Sequence, residues 1–240
     1  MSAIDSRLVV LTCGDGPPRH RLPFHGRRRP PPPVGVPTVS VPARPGRGDV
    51  DPVLADLDPH RIVVVGTDAD LAAVLLRLLR TERLDVEVAY VPDGRSDVAA
   101  IWRLPSGDRA VELAVHGTAA PTPLVRDDTG GVLAGRGEVH AFTGECWCDD
   151  TLVLRGPTPR LVAAVTADGI AVRAGRGNAL PDGRKRPVPP FGQGRGSSVG
   201  RAVQVGGPSL AVTADGVEHP RPLERRTWYR HTEDWRLVRP

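Results

Sequence analysis

RIVVVGTDADL, residues 61–71, joins an apolar run to the start of a helical pattern through a single glycine. The apolar run is typical of a buried strand, and the spacing after the glycine is typical of an amphipathic helix. Such a strand, turn and helix start aims backbone N–H groups and the positive end of a helix dipole at one place, an arrangement that holds phosphate in many proteins. The segment therefore predicts a phosphate loop at the end of a strand.

The helix that follows has one apolar face with i, i+3, i+4 and i+7 spacing. Its members are Leu71, Val74, Leu75, Leu78 and Leu79. Thr67, with Asp70 three residues later, predicts a capping box in which Asp replaces the usual Glu.

The first half of the chain alternates strand patterns with helix patterns. Strands are expected at 7–12, 36–41, 61–65 and 86–91, and helices at 49–57, 96–102 and 107–116 as well as after Gly66. Asp49 and Ser96 are candidate caps, and Pro52 is expected in the first turn of its helix. This alternation predicts an α/β domain with a doubly wound parallel sheet over residues 1–117.

From residue 118 the pattern changes to short apolar runs separated by Gly, Pro and Asp. Strands are expected at 132–134, 138–142, 151–154, 161–165, 170–173, 201–205, 210–213 and 235–238. We therefore expect a β-rich, sandwich-like second domain over 118–240, with a C-terminal strand that returns towards the domain junction. The proline run at 27–33 is interpreted as a surface loop, and the Gly/Arg-rich segment at 175–200 as a long basic loop or a locally disordered insertion.

Composition restricts the partners and the compartment. The net charge is +4 and the pI is about 9.5, but Lys185 is the only lysine, and the arginine excess is typical of a GC-rich genome. The composition therefore does not favour a nucleic-acid partner, although a charge-driven polyanion partner stays open. Three cysteines, no signal peptide pattern and no apolar run of about 18 residues favour the cytoplasm, with any membrane contact peripheral and on the inner face.

Several other constellations have an ordinary structural interpretation. Cys146 and Cys148 are expected on one face of a strand, as buried thiols rather than metal ligands, because a zinc site needs about four ligands. The Asp127-Asp128 and Asp149-Asp150 doublets are expected in turns. Trp228, Tyr229 and Trp235 lie among arginines, a mixture that stacks bases or faces head groups in some proteins and that more often completes a core.

In the order of its motifs the chain resembles the diacylglycerol kinase catalytic family, the lipid-kinase relatives of NAD kinases. The Gly-Gly-Asp-Gly-Thr loop of that family, which cradles the ATP phosphates, resembles residues 66–70. Its Pro-x-Gly-Thr-Gly-Asn-Asp-Phe-Ala segment resembles residues 92–99 with one residue missing, and its late Asp-Gly-Glu resembles residues 215–217. The resemblance covers roughly residues 60 to 238.

The resemblance implies an α/β nucleotide domain, a β-sandwich-like domain, ATP with Mg²⁺ as cofactor and a lipid hydroxyl as phosphate acceptor. It implies a crevice between the domains and a general base at Asp215 or the nearby Glu218. The residues implied in nucleotide binding are Gly66, Thr67, Asp68, Asp70, Gly94, Arg95, Ser96 and Asp97.

The departures from the family motifs predict impaired chemistry. Thr67 and Ala69 replace loop glycines, and Asp70 replaces a hydroxyl with a carboxylate. A carboxylate about 4 Å from a phosphate oxygen costs on the order of 4 kcal/mol at an effective dielectric of about 20, close to a thousandfold in affinity. A bridging metal, or a cap role of Asp70 that faces away from the crevice, would relieve this cost. Val217 replaces the glutamate that accepts a proton in the family, and Glu218 should point to the other face of its strand.

We therefore expect a diacylglycerol-kinase-like protein with phosphoryl transfer lost or much reduced and with a nucleotide or lipid ligand site retained. Two alternatives stay open. The first is an active ATP/Mg²⁺-dependent lipid kinase that uses Asp215 or Glu218 as base. The second is an arginine-rich binder of nucleic acid or anionic membrane, centred on 175–200. A homo-oligomer stays open for all of these functions.

Overall fold

The computed structural model describes residues 7–14, 35–175 and 197–240. The loop expected at 27–33 and residues 176–196 of the expected Gly/Arg-rich loop lie outside this range. The contacts divide the chain into two units, Met1–Thr122 with Glu233–Pro240 (unit 1) and Pro123–Thr232 (unit 2). The first division falls after Thr122, whereas the sequence analysis placed it after residue 117.

Unit 1 alternates strands and helices in the expected order. Its elements are β1 (Leu8–Cys13), β2 (Thr38–Val41), α1 (Arg47–Leu57), β3 (Arg61–Gly66), α2 (Asp68–Arg80), β4 (Glu87–Pro92), α3 (Asp97–Trp102) and α4 (Asp108–His116). The four strands pair in parallel in the order β2-β1-β3-β4, and Arg236 and Leu237 near the C-terminus extend the sheet beside β4. The predicted α/β fold class is confirmed.

This strand order places a topological switch point between β1 and β3. The chain leaves β1 for β2 on one side and then returns to β3 on the other side. In open α/β sheets, ligands bind outside the carboxyl ends of the strands at such a point. Cys13 and Gly66 are the last residues of β1 and β3, so they mark that edge.

The core of unit 1 explains why the apolar runs become central strands. Ile62, Val63 and Val64 are at most 1% exposed, as continuous apolar runs in parallel strands require. Helix α1 begins at Arg47, two residues before its predicted start. The Asp49 carboxylate accepts a hydrogen bond from the Gly46 N–H at 2.8 Å, so Asp49 acts from inside the first turn and Gly46 is the N-cap.

The rest of the chain is rich in antiparallel strands, as predicted. They are β5 (Thr118–Asp127), β6 (Val132–Leu133), β7 (Arg136–Cys148), β8 (Thr151–Thr166), β9 (Gly169–Gly175), β10 (Ser197–Gly200), β11 (Ala202–Ala214), β12 (Val217–Glu218) and β13 (Leu223–Arg239). The main order is β10-β9-β8-β7-β11-β13, with β12 beside β11 and β5 pairing with β6 and β13.

These strands are longer than the sequence predicted, because their glycines and prolines interrupt the pairing and not the strand. The runs at 201–205 and 210–213 belong to one strand, β11, whose register shifts between Gly206 and Leu210. Pro157 and Pro159 lie in β8 before its pairing with β9 begins at Arg160, and an unpaired strand edge tolerates proline. Trp228 and Trp235 are buried, so their interpretation as core residues is confirmed. Among the described residues, no helix combines the length and apolar character needed to span a bilayer.

Candidate functional site

The turn between β3 and α2 is built around the space beside Gly66. A Cβ at this position would lie 2.6 Å from Asp70 Oδ2 and 3.1 Å from the Cβ of Cys13. Gly66 is absent from the residues with positive φ, so the position requires glycine for close approach and not for a left-handed backbone. The space that the glycine leaves is filled by a carboxylate of the chain itself.

That carboxylate belongs to Asp70, which is only 3% exposed. Its Oδ2 accepts hydrogen bonds from the N–H and the hydroxyl of Thr67, both at 2.8 Å, and its Oδ1 accepts one from the Arg44 N–H at 2.7 Å. The Thr67 hydroxyl accepts a hydrogen bond from the Asp70 N–H at 3.3 Å, so the predicted capping box is confirmed. Asp70 therefore uses the N–H group of Thr67 and ties α2 to the loop after β2.

Asp68, at the first position of α2, connects this turn to α3. Its Oδ1 accepts hydrogen bonds from the hydroxyls of Tyr90 at 2.8 Å and Ser96 at 2.5 Å. Its Oδ2 accepts hydrogen bonds from the backbone N–H groups of Asp97 at 2.7 Å and Val98 at 3.3 Å. Because these two N–H groups open α3, Asp68 neutralises the positive end of that helix.

Ser96 is the N-cap of α3, as the sequence predicted, and its hydroxyl oxygen accepts a hydrogen bond from the Ala99 N–H at 2.9 Å. Gly94 precedes it with φ +101°, a conformation that favours glycine, and Arg95 is exposed. The Asp93 N–H donates to the Gly66 carbonyl at 2.8 Å. The structure thus brings the turn at 66–70 together with the segment at 93–97.

Tyr90 is a member of this site that sequence reasoning missed. Its hydroxyl donates to Asp68 and also lies 3.1 Å from the carbonyl oxygen of Gly66. Burial, reinforced by the negative charge of Asp68, raises the pKa of Tyr90 above its ordinary range. A tyrosine within the buried run of β4 was the available signal, since a buried hydroxyl needs a hydrogen-bond partner.

The two residues predicted as general base lie in unit 2, at the turn from β11 to β12. Asp215 has φ +47°, and its carboxylate accepts hydrogen bonds from three consecutive N–H groups, those of Ala134 and Gly135 at 2.8 Å and Arg136 at 3.0 Å. Glu218 is exposed and pairs with Thr213. A catalytic role for either residue stays a prediction.

The other polar clusters have structural contacts. Asp127 accepts hydrogen bonds from the N–H groups of Thr129 and Gly131, and Asp149 accepts from those of Arg201 and Ala202. Within residues 7–14, 35–175 and 197–240 there is no group of three or more His, Cys, Asp or Glu placed to hold a metal ion.

The cysteines of β7 are buried thiols. Burial raises the pKa of Cys146 to about 12, and burial also raises that of Cys148. Deprotonation of either thiol is therefore costly.

No protein-family model matches the sequence, and no curated protein matches it in sequence. A solved diacylglycerol kinase from Bacillus anthracis superposes on 98% of this chain and on 97% of its own length, with a TM-score of 0.65 at 11% identity. The chain has the diacylglycerol kinase fold. An NAD kinase from Archaeoglobus fulgidus in complex with ATP superposes on 97% of this chain and on 93% of its own, with a TM-score of 0.52 at 13% identity. The resemblance inferred from the order of the motifs is confirmed at the level of the fold.

In the turn at 66–70 and at the start of α3, backbone N–H groups already have carboxylate acceptors within the chain. The Thr67 N–H donates to Asp70, and the N–H groups that open α3 donate to Asp68. A phosphate oxygen at either place would have to displace a carboxylate of the protein.

Proposed function

We propose that this chain is a diacylglycerol-kinase-like protein in which phosphoryl transfer from ATP is lost or strongly reduced and which keeps a nucleotide or lipid ligand site at the carboxyl edge of the unit 1 sheet. One observation carries the proposal: the buried carboxylate of Asp70 lies over Gly66 and accepts the N–H of Thr67. The fold supports the location, because the switch point between β1 and β3 lies at this edge.

Electrostatics supports the loss of phosphate affinity. A carboxylate about 4 Å from a phosphate oxygen costs on the order of 4 kcal/mol at an effective dielectric of about 20. Binding would also require the Thr67 N–H to donate to the phosphate in place of Asp70. The buried Asp70 carboxylate would then lose a hydrogen bond, which adds a further free-energy cost. Both costs lower the affinity for a triphosphate.

The environment of the expected base supports the loss of transfer chemistry. Val217 has no proton-accepting group, and the carboxylate of Asp215 accepts hydrogen bonds from the three backbone N–H groups of Ala134, Gly135 and Arg136. Positioned proton abstraction contributes a factor of about 10² to 10⁴. A base that accepts a proton poorly and a phosphate that is weakly bound would both slow the transfer reaction.

Calorimetry with ATP and Mg²⁺ tests the proposal on the wild-type chain and on a reverted loop. The triple variant Thr67→Gly, Ala69→Gly, Asp70→Thr restores the family motif at 66–70. We expect the wild type to bind ATP much more weakly than the reverted chain, and equal affinities would contradict the proposed loss of phosphate affinity. No heat from the wild type at millimolar nucleotide would remove the nucleotide and leave a lipid as the ligand of the site. Asp93→Asn is the matched control, because it removes a carboxylate from the same edge and leaves the turn intact, and it should bind ATP no more tightly than the wild type.

A radiolabelled transfer assay with ATP and mixed diacylglycerol micelles tests the chemistry itself. We expect no phosphatidic acid from the wild type above the level made by an Asp215→Ala variant. Transfer by the wild type at typical kinase rates of about 1 to 100 per second, lost in that variant, would overturn the proposal in favour of an active lipid kinase.

A further inference from the structure

Only two aromatic side chains among the described residues are not buried, and both belong to unit 2. They are Trp147 on β7 and Tyr229 on β13. The other described aromatic residues, at most 8% exposed, are Tyr90, Trp102, Phe142, Trp228 and Trp235. The chain is poor in aromatic residues, at 4%, so two partly exposed aromatic side chains in one unit distinguish this surface.

The strand register places both rings on one face of the sheet. Trp147 is opposite Gln204 on β11, and Gln204 is opposite Thr227 on β13. Tyr229 lies two residues beyond Thr227 and therefore shares its face. The residues of the other face are buried: Cys146, Cys148, Val203, Val205 and Trp228.

An exposed aliphatic side chain lies next to the indole. Leu152 on β8 pairs with Trp147 in the register and is 38% exposed. Within the described residues, only Leu57 and Val199 are also large hydrophobic residues with this much exposure. Trp147 and Leu152 thus form a small, partly exposed apolar patch beside the turn from β7 to β8.

Arginines lie around this apolar patch and around Tyr229. Arg155 and Arg225 are exposed on the same face, since they lie opposite Glu145 and Gly206 in the register. Arg126 packs over the ring of Tyr229, with its guanidinium carbon 5.9 Å from the ring centre. We call Arg126, Trp147, Leu152, Arg155, Arg225 and Tyr229 the aromatic face.

The aromatic face carries more positive than negative charge. Glu145 accepts hydrogen bonds from Arg155 at 2.8 Å and from the indole N–H of Trp147 at 3.0 Å, so it compensates Arg155. Asp150 adds one exposed carboxylate at the nearby turn. Neither Arg126 nor Arg225 has a carboxylate within ion-pair distance in the described part of the chain, which leaves a positive excess.

We propose that the aromatic face docks on a bilayer that contains anionic phospholipid. Trp147 and Leu152 meet the boundary between head groups and acyl chains, and the arginines meet lipid phosphates. Leu152 favours lipid over a nucleic acid, because an aliphatic side chain gains from an apolar medium and adds nothing to base stacking. Arg126 also covers one side of the ring that a base would use. This docking goes beyond the proposed function and does not depend on ATP binding.

Co-sedimentation of the full chain with vesicles tests the docking. We expect binding to vesicles made of equal parts phosphatidylcholine and phosphatidylglycerol, and little binding to pure phosphatidylcholine. Trp147→Ala should weaken binding about tenfold through lost apolar burial. Arg225→Gln should weaken it about fivefold at low salt. Leu152→Ser should also weaken binding, at a side chain that is 38% exposed.

Matched controls come from unit 1. Leu57→Ser changes an equally exposed leucine, at 42%, and Arg47→Gln changes an arginine whose side chain is 87% exposed. Both should bind as the wild type does. Equal binding by wild type, Leu152→Ser and Arg225→Gln would overturn the proposal, as would no sedimentation with anionic vesicles.

Fluorescence gives a second readout. Phospholipids brominated on the acyl chains should quench the emission of the wild type and not that of Trp147→Phe, since the other described tryptophans are buried. A single-stranded oligonucleotide that binds more tightly in Trp147-containing chains and displaces the vesicles would replace the bilayer with a nucleic acid and refute the docking proposed here.

Discussion

Asp68 Oδ1 lies 2.5 Å from the hydroxyl oxygen of Ser96, so the first residue of α2 is bonded to the N-cap of α3, 28 residues away in the chain. The second oxygen of the same carboxylate accepts the N–H of Asp97 at 2.7 Å. One side chain therefore fixes the loops after β3 and β4 against each other, at the edge where open α/β sheets bind their ligands.

Replacing Asp68 should destabilise unit 1. Asp68→Ala removes the acceptor of two hydroxyls and two backbone N–H groups, and we expect a loss of about 2 to 4 kcal/mol in the free energy of unfolding. Asp68→Asn keeps one acceptor oxygen and should lose less. Urea denaturation at neutral pH measures both variants, and a loss below about 0.5 kcal/mol for Asp68→Ala would show that the network contributes little to stability.

Tyr90 predicts a loss of stability in alkali. Burial and the charge of Asp68 raise its pKa above the ordinary value of 10.0 in the folded chain. Above about pH 10 the unfolded chain releases this proton and the folded chain keeps it, so the free energy of unfolding should fall by about 1.4 kcal/mol per pH unit. Below pH 10 the contribution is fully present.

The comparison with Tyr90→Phe isolates that contribution, because all other groups titrate alike in both chains. The difference in stability between wild type and Tyr90→Phe should be constant from pH 7 to about pH 9 and should change by about 1.4 kcal/mol per unit above pH 10. Urea midpoints at pH 9 and pH 11 measure it. A difference that stays constant across this range would contradict the assignment.

The local structure of unit 1 could be predicted because each signal lies within a few residues. The apolar run at 62–65, the Thr67 and Asp70 capping box and the Ser96 cap all act over three or four positions. The partners of these residues could not be predicted in the same way. Asp70 bonds to Arg44 and Asp68 to Tyr90 across 26 and 22 residues, contacts that only the folded sheet creates.

The strand-rich half shows the limit of pattern reasoning most clearly. Glycine and proline in a sequence look alike whether they end a strand or sit at a bulge, so the runs at 151–154 and 161–165 were predicted as two strands of what is one, β8. β5 was missed because its sequence, TAAPTPLVRD, carries two prolines. The aromatic face could not be predicted from the sequence for a related reason, since only the strand register shows that Trp147 and Tyr229 lie on the same side of the sheet.

Gly66 predicts a steric effect that links the fold to the candidate site. In Gly66→Ala the new Cβ would lie 2.6 Å from Asp70 Oδ2, so the capping box must open or shift. We expect the free energy of unfolding to fall by about 1 to 3 kcal/mol, as it does when a helix cap is lost and a core is overpacked.

Gly48→Ala is the matched control for Gly66→Ala. Gly48 lies in α1, and nothing would lie within 4 Å of its Cβ. Alanine there should stabilise the helix by up to about 1 kcal/mol. Urea denaturation of both variants measures the contrast, and equal effects would argue against a steric role for position 66.

Replacing Arg61, at the opposite end of β3 from Gly66, should cause the largest loss in the free energy of unfolding. Its guanidinium donates to Glu87 at 2.6 and 2.8 Å and to the carbonyls of Ala114, Val115 and Gly117, near the C-terminus of α4, at 2.9 to 3.0 Å. Arg61→Ala would leave Glu87, a carboxylate whose side chain is 11% exposed, without its closest partner and would leave those carbonyls without a donor. We expect a loss of about 3 to 5 kcal/mol.

Arg61→Lys separates charge from geometry, because an ammonium can meet Glu87 or a carbonyl but not all of these acceptors. It should recover less than half of the loss. Arg47→Ala removes an exposed arginine 3.7 Å from Asp51 and should change stability by less than about 0.5 kcal/mol. Hydrogen exchange then locates the effect: amides at the end of α4 should exchange faster in Arg61→Lys, whereas unchanged protection there would place the role of Arg61 in its ion pair with Glu87 alone.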